Sequence, residues 1–160
     1  MNKMYRILPY LFLLHNAEEA VFIKHSPVKT WFESDEIASF LATGFSIAVI
    51  LFTVLAFAVC EIARKTRHYD YIMTAFAGML FLNVFFPHLT SAVVLGCYTP
   101  GVATAVFIIL PATSHILWSN YRKVIFSKRQ FGISIISGAV FGFFASGMFL
   151  LIGKFIAKCI

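Results

Sequence analysis

The chain is expected to be an all-α polytopic membrane bundle of five transmembrane helices, N-terminus inside and C-terminus outside. Three observations predict this. Of its 160 residues 60% are hydrophobic and only 12% charged, with a mean hydropathy of +0.85, too apolar for a soluble domain. The apolar residues fall into five runs separated by short polar connectors, and the basic residues gather in alternate connectors, as the positive-inside rule requires. Residues 1–160 form one transmembrane domain, with spans expected at about 5–23, 37–60, 71–95, 100–118 and 131–157.

Tyr5 to Ile23 follows Lys3 and Arg6 and resembles a signal peptide in outline. The run is short, however, and passes directly into His15, Glu18 and Glu19, so it is expected to be a retained first span. Pro9 falls in its first turns, where a missing N–H matters least. Lys24 to Glu36 is a polar loop with His25, Pro27 and Lys29. It closes on Glu33-Ser34-Asp35-Glu36, where Ser34 or Asp35 is expected to cap the following helix.

Ile37 to Cys60 is long enough at about 1.5 Å per residue to cross a hydrocarbon layer of roughly 30 Å. Gly44 and Ala48 give it a small-residue face for close packing. Glu61 to His68, with Arg64, Lys65 and Arg67, reads as a cytoplasmic connector. Tyr71 to Leu95 carries Asn83, Pro87 and His88, and a kink is expected at the proline.

A tight turn, Gly96 to Thr99, leads to Pro100-Gly101. Thr99 is expected as N-cap, with Pro100 in the first helical position and Gly101 permitting close backbone approach. Pro111 makes a second proline break in this span, and His115, one turn before Trp118 and Tyr121, reads as interfacial. Ser119 to Gln130 is the most basic loop. In Phe131 to Ala157, Ser134, Gly138, Gly142 and Ser146 form a small-residue ladder for helix packing.

The net charge of +6 does not indicate nucleic acid, because Lys3, Arg6, Arg64, Lys65, Arg67, Arg122, Lys123, Lys128 and Arg129 all lie on the side expected to be inside. Cys60, Cys97 and Cys159 are far apart and show neither a thiolate metal site nor a disulfide framework. No internal repeat, catalytic triad, phosphate-binding glycine loop or haem signature is visible.

The chemistry concentrates in Leu14-His15-Asn16-Ala17-Glu18-Glu19. Positions i, i+3 and i+4 share a helix face, so His15, Glu18 and Glu19 form one polar patch inside a span. An ionised residue at a span centre costs roughly 2.5–3.5 kcal/mol, which makes such a patch a functional hypothesis. No Lys or Arg lies within an apolar core to neutralise it, leaving protons, the span histidines or a metal ion. Counting inward from the outer boundary at about 1.5 Å per residue puts Glu19 roughly 8 Å deep, His88 roughly 12 Å and His15 roughly 14 Å, with Thr104 shallower. These groups share one slab of the outer half, whereas His115 falls well below it.

His15-Asn16-Ala17-Glu18-Glu19, followed by Asn83 and His88 and then by Pro100-Gly101, resembles the family of membrane proteins named for an HxxEE motif. The three motifs cover most of the chain from the first to the fourth span. The Asn–His spacing is one residue longer here than the family's usual pattern, which on a regular helix would turn the two side chains to different faces. The resemblance implies a bacterial inner (cytoplasmic) membrane and a site of His15, Glu18, Glu19, Asn83 and His88, with Pro87, Pro100 and Gly101 in structural roles. It implies no reaction, since the family's function is uncharacterised.

Three functions stay open. An enzyme acting on a lipid or other apolar substrate would use His15, Glu18, Glu19 and His88 either as ligands of a divalent zinc or iron ion, for hydrolysis or oxidation, or as a metal-free acid–base pair for isomerisation. A small proton- or cation-coupled transporter, functioning as a homo-oligomer, would use the same groups and the two proline breaks as a relay. A structural protein would use them as a buried hydrogen-bonded network. Membrane lipids, an apolar substrate and a second copy of the chain are the expected partners.

Overall fold

The computed structural model of the chain describes residues 3–25, 35–123 and 127–159, and all regular structure among them is helical. Five helices follow in order: α1 (Leu8–Phe22), α2 (Asp35–Ala63), α3 (Tyr69–Leu95), α4 (Val102–Arg122) and α5 (Lys128–Ala157). Short 3-10 turns, Lys3–Ile7 and Ile23–His25, extend α1 at both ends. Among the described residues, four helices, in α2 to α5, are long and apolar enough to cross a membrane. α1 is shorter, with 15 α-helical residues, and carries the ionisable patch.

The expected helices form, with ends shifted by a few residues. Pro9 lies in the first turn of α1. The acidic cap expected before α2 falls partly outside the described residues, as do Pro27 and Lys29; the helix itself begins at Asp35. α5 starts earlier than its apolar run because Ser127 and Gln130 form a capping box, Gln130 N donating to Ser127 Oγ at 3.2 Å and Ser127 N to Gln130 Oε1 at 3.1 Å. α4 starts later than expected. Thr99 does not cap it; its hydroxyl donates to the carbonyl of His88 at 3.4 Å. Gly101 takes the cap position at φ +84°, and Val102 opens the helix.

α5 packs most extensively against α2 and α3, and its small residues set how closely. A Cβ on Gly138 would stand 2.0 Å from the carbonyl oxygen of Ala75, and one on Gly153 would stand 2.1 Å from that of Gly44. Without side chains at these points the backbones come into direct contact. α1 lies against α2, and Phe12 meets Phe52 and Phe76 edge-on at 5.1 and 5.8 Å. Tyr5, Leu8, Phe12, Met73, Leu80 and Ile116 are among the buried core, while Phe86, Phe107, Phe143, Phe144 and Phe155 project outward. An almost wholly apolar cavity of about 390 Å³ lies between α2, α3 and α5, lined by Phe52, Ala56, Cys60, Met73, Phe76 and Met79 among others.

Pro87 and Pro111, in the interiors of α3 and α4, both disturb the regular α-helix. Ala105–Ile109 precedes Pro111 without leaving helical geometry, so that proline widens α4 instead of breaking it. Val84–Leu89 holds Pro87 and contains a true kink: Phe86 is extended at φ −133° and ψ 120°, and the Phe86–Pro87 peptide is cis. The residue before a proline is driven from the α region by its ring, which accounts for the position of the kink.

Candidate functional site

Each functional side chain is delivered by a different local device. α1 supplies His15, Glu18 and Glu19 from consecutive turns of a regular helix. The kinked segment of α3 supplies Asn83 and His88. The extended Phe86 breaks the helical register between them, so the rule that five residues on a regular helix face apart does not hold across this segment. The extra residue between Asn and His is thus absorbed by the backbone. Asn83 Nδ2 lies 3.3 Å from His15 Nε2, and His88 Nε2 lies 3.0 Å from the same atom.

The Pro-Gly turn covers the site from the other side. Gly101 has φ +84°, and a Cβ there would lie 2.7 Å from His88 Cε1 and 2.9 Å from both His15 Cε1 and Glu19 Cγ. Glycine is required twice, by the backbone angle and by the contact.

Hydrogen bonds fix both imidazoles. The carbonyl of Pro100 can only accept, so His88 Nδ1–H donates to it at 3.1 Å. Thr104 donates its hydroxyl hydrogen to the carbonyl of Gly101 at 3.2 Å, leaving its oxygen to accept from His15 Nδ1–H at 2.9 Å. The proton of each neutral ring is therefore on Nδ1, which leaves the two Nε2 atoms, 3.0 Å apart, as acceptors. Rings meeting edge-on, with centroids 4.5 Å apart, keep this geometry. Both are buried, His15 to 1% and His88 to 4% exposure.

Glu19 joins them. Its Oε1 is 3.4 Å from His88 Nε2 and 3.9 Å from His15 Nε2. His15, Glu19 and His88 form the group that could hold a metal ion among the described residues. The three atoms make a triangle with sides of 3.0, 3.4 and 3.9 Å; the point equidistant from them is about 2.0 Å from each, a zinc–nitrogen or zinc–oxygen bond length. Two imidazoles and one carboxylate, each imidazole donating its second N–H to an oxygen, are also a donor set suited to zinc or non-haem iron.

Glu18 is not with them. Adjacent residues diverge by about 100° on an α-helix, so the two carboxylates turn to either side of His15. Glu18 faces the start of α4, where Oε2 accepts from Thr104 N at 2.7 Å, and Oε1 from Ala103 N at 3.2 Å and from the hydroxyl of Tyr98. Burial, and then the bond to Glu18, raise the pKa of the Tyr98 phenol and keep it a donor. Tyr98 and the Pro100 carbonyl escaped sequence reasoning: they sit in a turn that offers no periodicity. Asn16, within the motif, faces α2 and donates to Thr53 Oγ1 at 2.6 Å and to the carbonyl of Val49 at 3.2 Å. His115 is exposed on α4, apart from the cluster.

Comparison with known proteins adds a family and a relative. A family model described as "Protein of unknown function with HXXEE motif" matches residues 6–116. Over 125 residues the chain is 28% identical to an uncharacterized protein, YrkK, of Bacillus subtilis (strain 168), covering 76% of this chain and 77% of that one. No solved structure matches the chain.

Proposed function

The chain belongs to the HXXEE-motif family, whose function is unknown, and we propose that it is a membrane-embedded enzyme in which His15, His88 and Glu19 hold one divalent zinc or iron ion. The contact that carries the proposal is the pair of His15 and His88 Nε2 atoms 3.0 Å apart. With both Nδ1 atoms committed as donors, two acceptor nitrogens lie side by side with one amide donor, Asn83 Nδ2, against His15, an arrangement that a cation between the nitrogens would satisfy. A carboxylate beside them, with no Lys or Arg among the site residues, asks for the same positive charge. When bound, such an ion supplies Lewis acidity and an activated water or, as iron, redox chemistry.

The chain's own groups supply orientation and exclusion of water. Thr104 and Pro100 hold the rings, Gly101 brings backbone against all three donor residues, and the buried setting strengthens every interaction of charge. A lipid or other apolar substrate is the class we propose. It is supported by helices apolar enough for a membrane and by the cavity, whose lining residue Met79 precedes Asn83 by one turn of α3. On the same proposal α1 is a fifth span, with the N-terminus inside and the C-terminus outside a bacterial cytoplasmic membrane. Nine of the 13 Lys and Arg residues then lie inside.

The test is elemental analysis of the detergent-purified protein alongside His15→Ala and Glu19→Gln, expressed with the same metal supply. Near-stoichiometric zinc or iron in wild type, lost in both variants, is the expected result. Folded wild type that takes up no metal even on resupply would refute it, leaving acid–base chemistry, proton coupling or a structural network.

A further inference from the structure

We propose that the two glutamates of the motif divide their work, and that Glu18 is the positioning residue that clamps the Pro-Gly turn so that the turn can orient both imidazoles. The inference rests on the His15–His88–Glu19 site as the thing positioned. It begins from the turn. Gly96 and Gly101, both at positive φ (+63° and +84°), bracket Cys97 to Pro100. Glycines at both ends allow this reversal and equally allow others, so the turn needs an external tie to hold one shape.

Glu18 is that tie. Its carboxylate takes three donors from seven consecutive residues: the Tyr98 hydroxyl, Ala103 N and Thr104 N. An anion is favoured there, because the first N–H groups of α4 lack helical partners and carry the positive end of the dipole. Within the same seven residues lie both groups that orient the histidines. Pro100 O accepts from His88 Nδ1, and Thr104 Oγ1 accepts from His15 Nδ1. Thr104 is thus held twice, its N–H by Glu18 and its hydroxyl against His15. One carboxylate on α1 thereby fixes rings contributed by α1 and α3, through a turn that touches both.

Glu18→Gln tests this because an amide has one acceptor oxygen where the carboxylate has two, and its NH2 must then face a donor of α4 or Tyr98. Glu19→Gln removes the same charge one residue away. The measurement is 15N NMR of the histidine rings in the metal-free, full-length protein in detergent, followed by cobalt(II) titration of the same samples, with circular dichroism to confirm folding. In wild type both His15 and His88 should be protonated at Nδ1. In Glu18→Gln one or both should lose that fixed proton, and cobalt should still bind at one per chain but 10–100-fold more weakly, the usual loss when a group supporting a ligand is removed. Glu19→Gln should leave the ring protons in place.

If Glu18→Gln does not fold, Thr104→Val gives a narrower version of the test. It should release the His15 ring and leave His88 unchanged, and Thr104→Ser should restore the wild-type spectrum. Glu18→Gln with wild-type ring signals and wild-type cobalt affinity would overturn the proposal. So would a Glu18→Gln protein that keeps its ring protons and binds no cobalt, which would make Glu18 a ligand. Wild type that binds no cobalt, with ring signals that still change in Glu18→Gln, would refute the metal site alone and sustain the positioning role.

Discussion

Gly101→Ala separates the cost of an unusual backbone angle from the cost of crowding the site, because the turn contains its own control. Gly96 and Gly101 both have positive φ, but a Cβ on Gly96 meets nothing within 4 Å, whereas one on Gly101 meets His88, Glu19 and His15 at 2.7–2.9 Å. A left-handed conformation costs a non-glycine residue about 1–2 kcal/mol, and that is all Gly96→Ala should lose. Gly101→Ala adds the overpacking of a site whose rings are already held, about 1–3 kcal/mol more. For a chain of this size 1 kcal/mol moves Tm by roughly 2–4 °C, so the expected losses are on the order of 4 °C for Gly96→Ala and 10 °C for Gly101→Ala. Thermal unfolding in detergent measures both. Metal content should fall in Gly101→Ala only, since its methyl group pushes all three donor residues. Equal Tm losses with equal metal retention would show that the turn does not press on the site.

Other consequences follow from the packing. Gly138→Ala places a methyl 2.0 Å from the Ala75 carbonyl and should part α3 from α5, lowering Tm by about 5–10 °C; Gly147→Ala, open on all sides, should be neutral or raise Tm by a few degrees because alanine is the better helix former by about 1 kcal/mol. Asn16→Ala removes the donor to Thr53 and Val49 and should cost about 1–2 kcal/mol without loss of metal, as read by unfolding and elemental analysis together. His115→Ala, at an exposed position, should change Tm by no more than about 2 °C and leave metal content unchanged.

The bundle was legible because membrane helices advertise themselves by length. An apolar run such as Ile37 to Cys60 has few alternatives once its backbone must satisfy itself in lipid. The ladder from Ser134 to Ser146 likewise announced close packing, and its glycines do meet α3. Ends were less legible, since they are set by caps rather than hydrophobicity. Ser127 and Gln130 carry the α5 start outside its apolar run. At α4 the Thr-Pro pair that ordinarily opens a helix is spent otherwise: Thr99 bonds to the His88 carbonyl and Pro100 offers its own carbonyl to the His88 ring.

The site was legible in its parts and not in their division. Helical spacing puts Glu18 and Glu19 on the same general side as His15, but only the position of a second element decides which carboxylate faces which partner. α4 approaches from one flank and claims Glu18 through its free N–H groups; α3 approaches from the other and meets Glu19 with His88. The Asn–His spacing shows the converse case. Five residues on a regular helix separate two side chains by about 140°, which made Asn83 look misplaced beside His88. A proline that forces its neighbour Phe86 out of the helix changes the register between them, and both side chains reach the same nitrogen of His15. The extra residue and the proline are therefore one feature, and removing either alone should separate groups that the pair brings together.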